Sequence, residues 1–308
     1  MSRGKLVLEK VNDFQLDHVF DCGQCFRWNR EDDGSYTGIA SGKILNVSKN
    51  GSDLILENTD ADEFLDFWRD YFDFDTDYKN IKEKLMAKDP VMKEAINAGQ
   101  GIRILNQDVW ETVVSFIISA NNNIPRIKKC IESLCERFGE KIGRYKGKDY
   151  YSFPEPEVLA KLTLDELVPC RLGYRAKYII ATAKAFVANG KEYYEELKND
   201  NVPISVAMDK ISQLSGVGPK VANCILLFSL KKRSAFPIDT WMKKVMNHLY
   251  NFNENDVKGM EQFALDTYGD VAGIAQQYLF YYMRNYKFED EDETDTDYTK
   301  VKPLSNLK

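Results

Sequence analysis

The stretch GVGPKVANC, residues 216–224, places a lysine where helix electrostatics disfavour a cation. Gly216 and Gly218 can take positive φ in a tight turn, and Pro219 suits the first position of a helix. The helix then runs through Val221, Ala222, Cys224, Ile225 and Leu226. Lys220 therefore sits in the first turn, at the positive end of the helix dipole. That position and partial burial disfavour the ammonium and favour the free amine, a nucleophile. Cys224 lies four residues on and shares the helix face of Lys220. Nineteen residues after Lys220, FPID stops one segment at Pro237 and starts another at Asp239. Alone, Asp239 is an N-cap. With Lys220 it brings a carboxylate and an amine to two helix starts that can converge on one cleft. The unpaired N–H groups beyond Gly218, that of Val221 included, form an anion site fit for a phosphate.

Four other stretches hold residues of chemical interest, each with a plainer reading beside it. CGQC (Cys22, Gly23, Gln24, Cys25) has the spacing of a redox or zinc pair, but no second CxxC occurs, and the motif runs into strand-like CFRW instead of opening a helix. Free thiols are the expectation for all six cysteines. NNNIPR, holding Asn121 and Arg126, is a capping turn on composition alone. Tyr174 and Arg175 in LGYRAKY stand at a helix start. Gln276 and Phe280 in AGIAQQYLF are four apart and face one way, as on any amphipathic helix.

The elements that must position these residues fall into two blocks. KLVLEKV, CFRWN, SYTGIA, KILNVS and DLILE read as short strands separated by EDDGS, SGK and KNGS, an antiparallel meander over the first 57 residues. From Asp60 the spacing turns helical, with Phe64, Leu65, Phe67, Trp68, Tyr71 and Phe72 on one broad apolar face, and helical segments continue to Lys287. Strands first and helices afterwards indicate an α+β fold: an N-terminal antiparallel sheet with its following helix (1–99), packed on a mainly helical body (100–287) whose helix–hairpin–helix spans 203–229. Residues 288–308, with seven acidic and three basic residues, read as a flexible acidic tail. The chain's net charge of −6 conceals a body, residues 100–287, with 26 Lys+Arg against 21 Asp+Glu, which permits a basic DNA-binding face. No apolar run is long enough to span a membrane, and MSRGKLVLEKV has no secretory apolar core, so an intracellular location is expected.

LSGVGPKVANC followed by FPID resembles the helix–hairpin–helix, Gly-Pro…Asp superfamily of base-excision DNA glycosylases. In members that carry the hairpin lysine, the lysine attacks the anomeric carbon of a flipped nucleotide, displaces the base and nicks the strand through a Schiff base. The resemblance implies Lys220 as nucleophile and Asp239 as the group that stabilises the cationic sugar and assists proton transfer. DCGQCFRWN is similar to the GQ(S/C)FRW signature of 8-oxoguanine DNA glycosylases. There the glycine carbonyl, here that of Gly23, accepts from the ring N–H that oxidation adds to guanine. The same resemblance implies Gln276 reading the base's pairing edge, with Phe280 and Cys224 stacking on its two sides. It further implies Asn121, Arg126 and Arg175 on the orphaned cytosine, and Tyr174 as the wedge in the vacated stack. The hairpin backbone at Gly216, Gly218 and Val221 would hold phosphate.

The expected function is thus a bifunctional 8-oxoguanine glycosylase and abasic-site lyase, preferring lesions opposite cytosine, with double-stranded DNA as partner and a monomeric chain. No catalytic metal or cofactor is expected; hairpin carbonyls could hold a structural cation, as in relatives. Trp241 departs from the family's histidine near a phosphate, and Asn223 from its usual aspartate. Two other readings stay open: an endonuclease III-like glycosylase for oxidised pyrimidines, disfavoured because Cys224 is the last cysteine and leaves no iron–sulfur cluster motif, and a non-catalytic DNA-binding module.

Overall fold

Short apolar and aromatic segments in the first 57 residues form five strands: Lys5–Leu8 (β1), Trp28–Arg30 (β2), Tyr36–Ala40 (β3), Lys43–Asn50 (β4) and Asp53–Glu57 (β5). The computed structural model describes residues 4–285; the acidic segment 288–308 lies outside the described residues. The strands make one antiparallel sheet in the order β1-β5-β4-β3-β2. β2 to β5 form the expected meander, and β1 joins its far edge through β5. CFRWN is only partly strand: Cys25, Phe26 and Arg27 are irregular and pairing begins at Trp28. A short helix, Leu16–Phe20, lies between β1 and β2 and was not expected.

The sheet packs on an aromatic cluster. Trp28 stacks on Phe20 at 4.2 Å, meets Trp68 edge-on at 6.2 Å, and donates its Nε1–H to the Tyr71 hydroxyl at 2.8 Å. Trp68 and Tyr71 come from the helix expected after Asp60. It starts with the Asp60 carboxylate accepting the Glu63 N–H and runs through Ala61–Glu63, a π turn at Phe64–Trp68, and Arg69–Tyr71. Leu65 was expected on the apolar face and is 58 % exposed. The wider π turn breaks the α-helical spacing on which that expectation rested.

The body is built from Val109–Ser119 (α1), Ile124–Phe138 (α2), Arg175–Asn189 (α3), Ile204–Ser212 (α4), Pro219–Phe228 (α5), Thr240–Tyr250 (α6) and Ala272–Asn285 (α7), with further helices between them. α1 and α5 are buried on nearly every side, as all-round apolar helices must be. Their packing against each other fixes the end of α5 that carries Lys220. α1, α2 and α6 start where a side chain accepts an otherwise orphaned N–H: Asp108 from Glu111, Asn123 from Arg126 and Asp239 from Met242.

The body also contains an unexpected hairpin, Lys141–Tyr145 (β6) and Lys148–Tyr151 (β7). Its two-residue turn, Lys146-Gly147, has positive φ at both positions, the geometry that matches strand twist. Ile142, Tyr145 and Tyr150 pack with Ile39 and Ile44 of the sheet, so this hairpin ties the body to the N-terminal strands.

Candidate active site

The loop carrying Gly23 is held by the fully buried Gln24. Its Nε2 donates to the Val19 carbonyl at 2.9 Å and the Arg103 carbonyl at 2.7 Å, and its Oε1 accepts the Leu105 N–H at 2.8 Å. The Gln24 carbonyl accepts from Gln107 Nε2 at 2.7 Å. One side chain thus braces the loop against the segment that leads into α1. Phe26 crosses into the helical core and meets Phe116 edge-on at 5.5 Å. The thiols of Cys22 and Cys25 face the carbonyls of Val19 and Phe20, and burial pushes Cys22 up to about 12 and Cys25 well above the ordinary thiol range. Neither is a thiolate suited to redox exchange or zinc. Gly23 has φ +88°, a region that favours glycine, and its carbonyl has no partner among the described residues.

Lys220 stands in the first turn of α5 with Nζ 5.3 Å from the centre of the Phe116 ring. Asp239 caps α6, its Oδ1 accepting the Met242 N–H at 2.7 Å. Burial pushes the Cys224 thiol up, opposed by the neighbouring Lys220 and reinforced by Asp239, so Cys224 stays neutral and able to pack against a ring. An inner pocket of about 40 Å³ is lined by Gly23, Lys220, Cys224, Asp239, Gln276 and Phe280 together with Cys22, Phe116 and Gln277. It adjoins an open cleft of about 460 Å³ that shares Gly23, Phe116, Lys220, Asp239 and Phe280. All six residues singled out for nucleophile, carboxylate and base contacts therefore meet at one place, from four separate parts of the chain.

The hairpin between α4 and α5 has two glycines able to take positive φ. Only Gly216 does, at +82°, and a methyl there would lie 2.8 Å from Tyr178 Cβ. Gly218 has φ −90° and its missing side chain would point into open space. The Ala222 N–H is the first in α5 to find a carbonyl, that of Gly218 at 2.9 Å; those of Lys220 and Val221 have none among the described residues. Of the hairpin carbonyls, Ser215 accepts the Thr182 hydroxyl and Leu214 the Val217 N–H. Those of Gly216 and Val217 accept no hydrogen bond among the described residues.

The three asparagines after α1 have separate tasks. Asn122 Nδ2 donates to the Ile118 carbonyl at 3.0 Å, and Asn123 caps α2. Asn121, at φ +49°, is exposed, as is Arg126. Tyr174 is 51 % exposed at the start of α3. Arg175 is only 4 % exposed: its Nε donates to the Ala120 carbonyl and its Nη2 to the Asn121 carbonyl, both at 2.9 Å. It stands behind Asn121 as a brace, and is not presented at the surface beside Arg126. A second cleft, of about 650 Å³, is lined by Arg126, Lys129 and Arg171 and shares Asn123 and Pro125 with the cleft that adjoins the inner pocket.

Sequence reasoning missed Phe116, Gln277 and Arg284. Phe116 is one apolar residue in an apolar helix, and nothing in its surroundings marks it. Gln277 is the second residue of a Gln-Gln pair. Arg284 follows Phe280 by four, a spacing that could have revealed it, and donates to the Asp21 carbonyl at 3.2 Å. Asn223 bonds back to the Pro219 carbonyl at 3.1 Å, bracing the first turn of α5, and Trp241 lines the cleft.

Comparison with known proteins matches residues 6–113 to the 8-oxoguanine DNA glycosylase N-terminal domain and residues 114–268 to the HhH-GPD superfamily base excision DNA repair proteins. The N-glycosylase/DNA lyase of Saccharomyces cerevisiae is 30 % identical over 82 % of this chain and 72 % of its own length. The structure of MBOgg1 in complex with a low-affinity DNA ligand superposes with a TM-score of 0.86 at 48 % identity, covering 91 % of this chain and 95 % of that one. The 8-oxoguanine glycosylase/lyase of Clostridium acetobutylicum, in complex with double-stranded DNA containing cytosine opposite 8-oxoguanine, gives 0.86 at 42 % identity, covering 92 % and 97 %.

Proposed function

Because the chain belongs to the 8-oxoguanine DNA glycosylases of the HhH-GPD base excision repair superfamily, we propose that Lys220 is the nucleophile of its N-glycosylase/DNA lyase reaction and Asp239 the carboxylate that serves it. The enzyme excises 8-oxoguanine from DNA and cleaves the strand at the resulting site. In the proposed sequence the flipped nucleotide enters the pocket between Gly23 and α7, at a cost of a few kcal/mol for unstacking. The Lys220 amine forms a bond to the anomeric carbon as the N-glycosidic bond breaks, and the base leaves with its bonding electrons and takes up a proton. The Asp239 carboxylate, held still by its cap bond, stabilises the positive charge that builds on the sugar. Ring opening gives the Schiff base, and loss of a proton from C2′ expels the 3′-phosphate by β-elimination.

Gly23 is assigned the added ring N–H of 8-oxoguanine through its unpartnered carbonyl, Gln276 the pairing edge, and Cys224 and Phe280 the two ring faces. The Lys220 and Val221 N–H groups and the open side of Gly218 are assigned a backbone phosphate. A preference for cytosine opposite the lesion is assigned to Asn121 and Arg126, with Tyr174 as wedge. Arg175, spent on the Ala120 and Asn121 carbonyls, supports this reading through the Asn121 backbone. The observation that carries the proposal is the meeting of Lys220, Asp239 and the four base-contact residues in one pocket. Borohydride trapping on an 8-oxoguanine·cytosine duplex tests it: a covalent adduct is expected in wild type and not in Lys220→Ala, and an adduct of equal yield in the variant removes Lys220 from the role.

A further inference from the structure

One residue that lines the inner pocket carries a buried polar atom that none of these roles uses. Gln277 is 4 % exposed; its Nε2 donates to Gln276 Oε1 at 2.7 Å, while its own Oε1 is buried with no hydrogen-bond partner. A buried acceptor without a hydrogen bond is unfavourable, so each such group calls for a reason. Three other buried side-chain oxygens lack a hydrogen-bond partner among the described residues: Thr112 Oγ1, Asp149 Oδ1 and Tyr278 OH. None of those residues lines the pocket that holds Lys220 and Asp239; Gln277 does.

The bond between the two glutamines also determines what they present. With Gln276 Oε1 accepting from Gln277, one lone pair of that oxygen and the whole Gln276 Nε2 amide remain, and no partner of Nε2 occurs among the described residues. The pair therefore offers one amide donor group (Gln276 Nε2), one remaining lone pair (Gln276 Oε1) and one full acceptor (Gln277 Oε1). A 2-amino-6-oxopurine carries the complement on its pairing edge: the O6 acceptor, the N1–H donor and the exocyclic 2-amino donor.

We propose that Gln277 is a second base-reading residue, whose Oε1 accepts a hydrogen bond from the exocyclic 2-amino group of the flipped purine. This rests on the reading that Gln276 faces the pairing edge, and adds to it a contact that tells bases with a 2-amino group from those without. A site with a buried acceptor rejects a ligand that lacks the matching donor more strongly than an apolar pocket rejects a change of size.

The test compares single-turnover excision of 8-oxoguanine with that of 8-oxohypoxanthine, the same ring without the 2-amino group, each opposite cytosine. Wild type is expected to prefer 8-oxoguanine by about tenfold or more. In Gln277→Leu and Gln277→Met, which keep the volume and lose both polar atoms, the ratio is expected to collapse to about twofold. Melting temperature verifies that each variant is folded, and Gln277→Met carries the test if Gln277→Leu is not. A ratio that stays at the wild-type value overturns the proposal; so does equal slowing of both bases, which would make Gln277 only an orienter of Gln276. Failure of wild type to excise 8-oxoguanine at all would instead remove the functional reading beneath it.

Discussion

The Lys220 Nζ lies over the face of Phe116, 5.3 Å from the ring centre. Phe116 in turn stacks on Phe228 at 5.4 Å and 18°, and meets Phe26 edge-on, so the wall behind the amine is a continuous aromatic slab that excludes water. Phe116→Ala is expected to lower stability by about 3–5 kcal/mol, the usual cost of emptying such a site. Phe116→Leu keeps most of the volume, at a cost of about 1–1.5 kcal/mol, while removing the flat face. If the face positions the amine, borohydride trapping in Phe116→Leu slows about tenfold although denaturant melts show a folded protein. Trapping at the wild-type rate would make Phe116 core and nothing more.

Asp239 has one observed task, the cap through Oδ1, and one proposed task, a charge in the pocket that Lys220 also lines. Asparagine caps as well as aspartate does, so Asp239→Asn should change stability by less than about 0.5 kcal/mol, whereas Asp239→Ala should lose about 1 kcal/mol. Both remove the charge, and base release in either is expected to fall about 100-fold or more. A single-turnover assay beside a melt separates the two tasks. Excision near the wild-type rate in Asp239→Asn would leave Asp239 only the cap.

The convergence of Lys220 and Asp239 was legible because both roles are local. A glycine hairpin with Pro219 and a Pro237-Ile238-Asp239 stop each announce a helix start, and the resemblance supplies the pairing. The strands were legible for the same reason, turn residues bounding short branched and aromatic runs. What was not legible depends on the long-range environment. Arg175 reads as a second arginine on the cytosine, and only its bonds to the Ala120 and Asn121 carbonyls show it to be a brace. Gln24 reads as part of a motif, and only its contacts with residues 103–107 show it to be a brace. The β6–β7 hairpin was hidden among helices because its four basic residues and the irregular register near Lys141 and Gly143 leave Ile142, Tyr145 and Tyr150 without a strict alternation.

Gln24→Ala tests that brace. It leaves the Val19 and Arg103 carbonyls and the Leu105 N–H without their buried partner, and a cost of about 2–4 kcal/mol is expected by chemical denaturation. Because the same side chain holds the Gly23 loop, discrimination between 8-oxoguanine and guanine should fall along with stability. Excision assays on both bases at a temperature where the variant is folded check this. Unchanged discrimination would show that the loop keeps its shape without the brace.

His18 gives a pH dependence. Its Nδ1 accepts the Gly101 N–H at 3.1 Å, which requires a neutral nitrogen. Burial lowers its pKa below the ordinary 6.5; Asp17 opposes the shift and Lys49 adds to it. The unfolded chain then binds the proton more readily than the folded one. The contribution to stability is complete above about pH 6.5 and is lost as pH falls through the folded pKa. Melting temperature should therefore fall more steeply from pH 7 to 5 in wild type than in His18→Gln, whose side chain offers an acceptor that does not titrate. Identical slopes would exclude His18 as a source.

The two hairpin glycines should respond differently. At Gly216, φ +82° and the contact with Tyr178 at 2.8 Å leave no room for a methyl, so Gly216→Ala is expected to destabilise by more than about 1 kcal/mol. At Gly218, φ is −90° and the space is open, so alanine fits the backbone; its restriction of the unfolded chain is offset by the preference for glycine over alanine at an N-cap, and the net change is expected to stay within about 1 kcal/mol of zero. If a DNA phosphate approaches the Lys220 and Val221 N–H groups, the added methyl holds it off. Gly218→Ala should then bind duplex about tenfold more weakly while melting close to wild type. Fluorescence anisotropy with an 8-oxoguanine·cytosine duplex reads the affinity, and wild-type binding in Gly218→Ala would remove the hairpin backbone from the phosphate contacts.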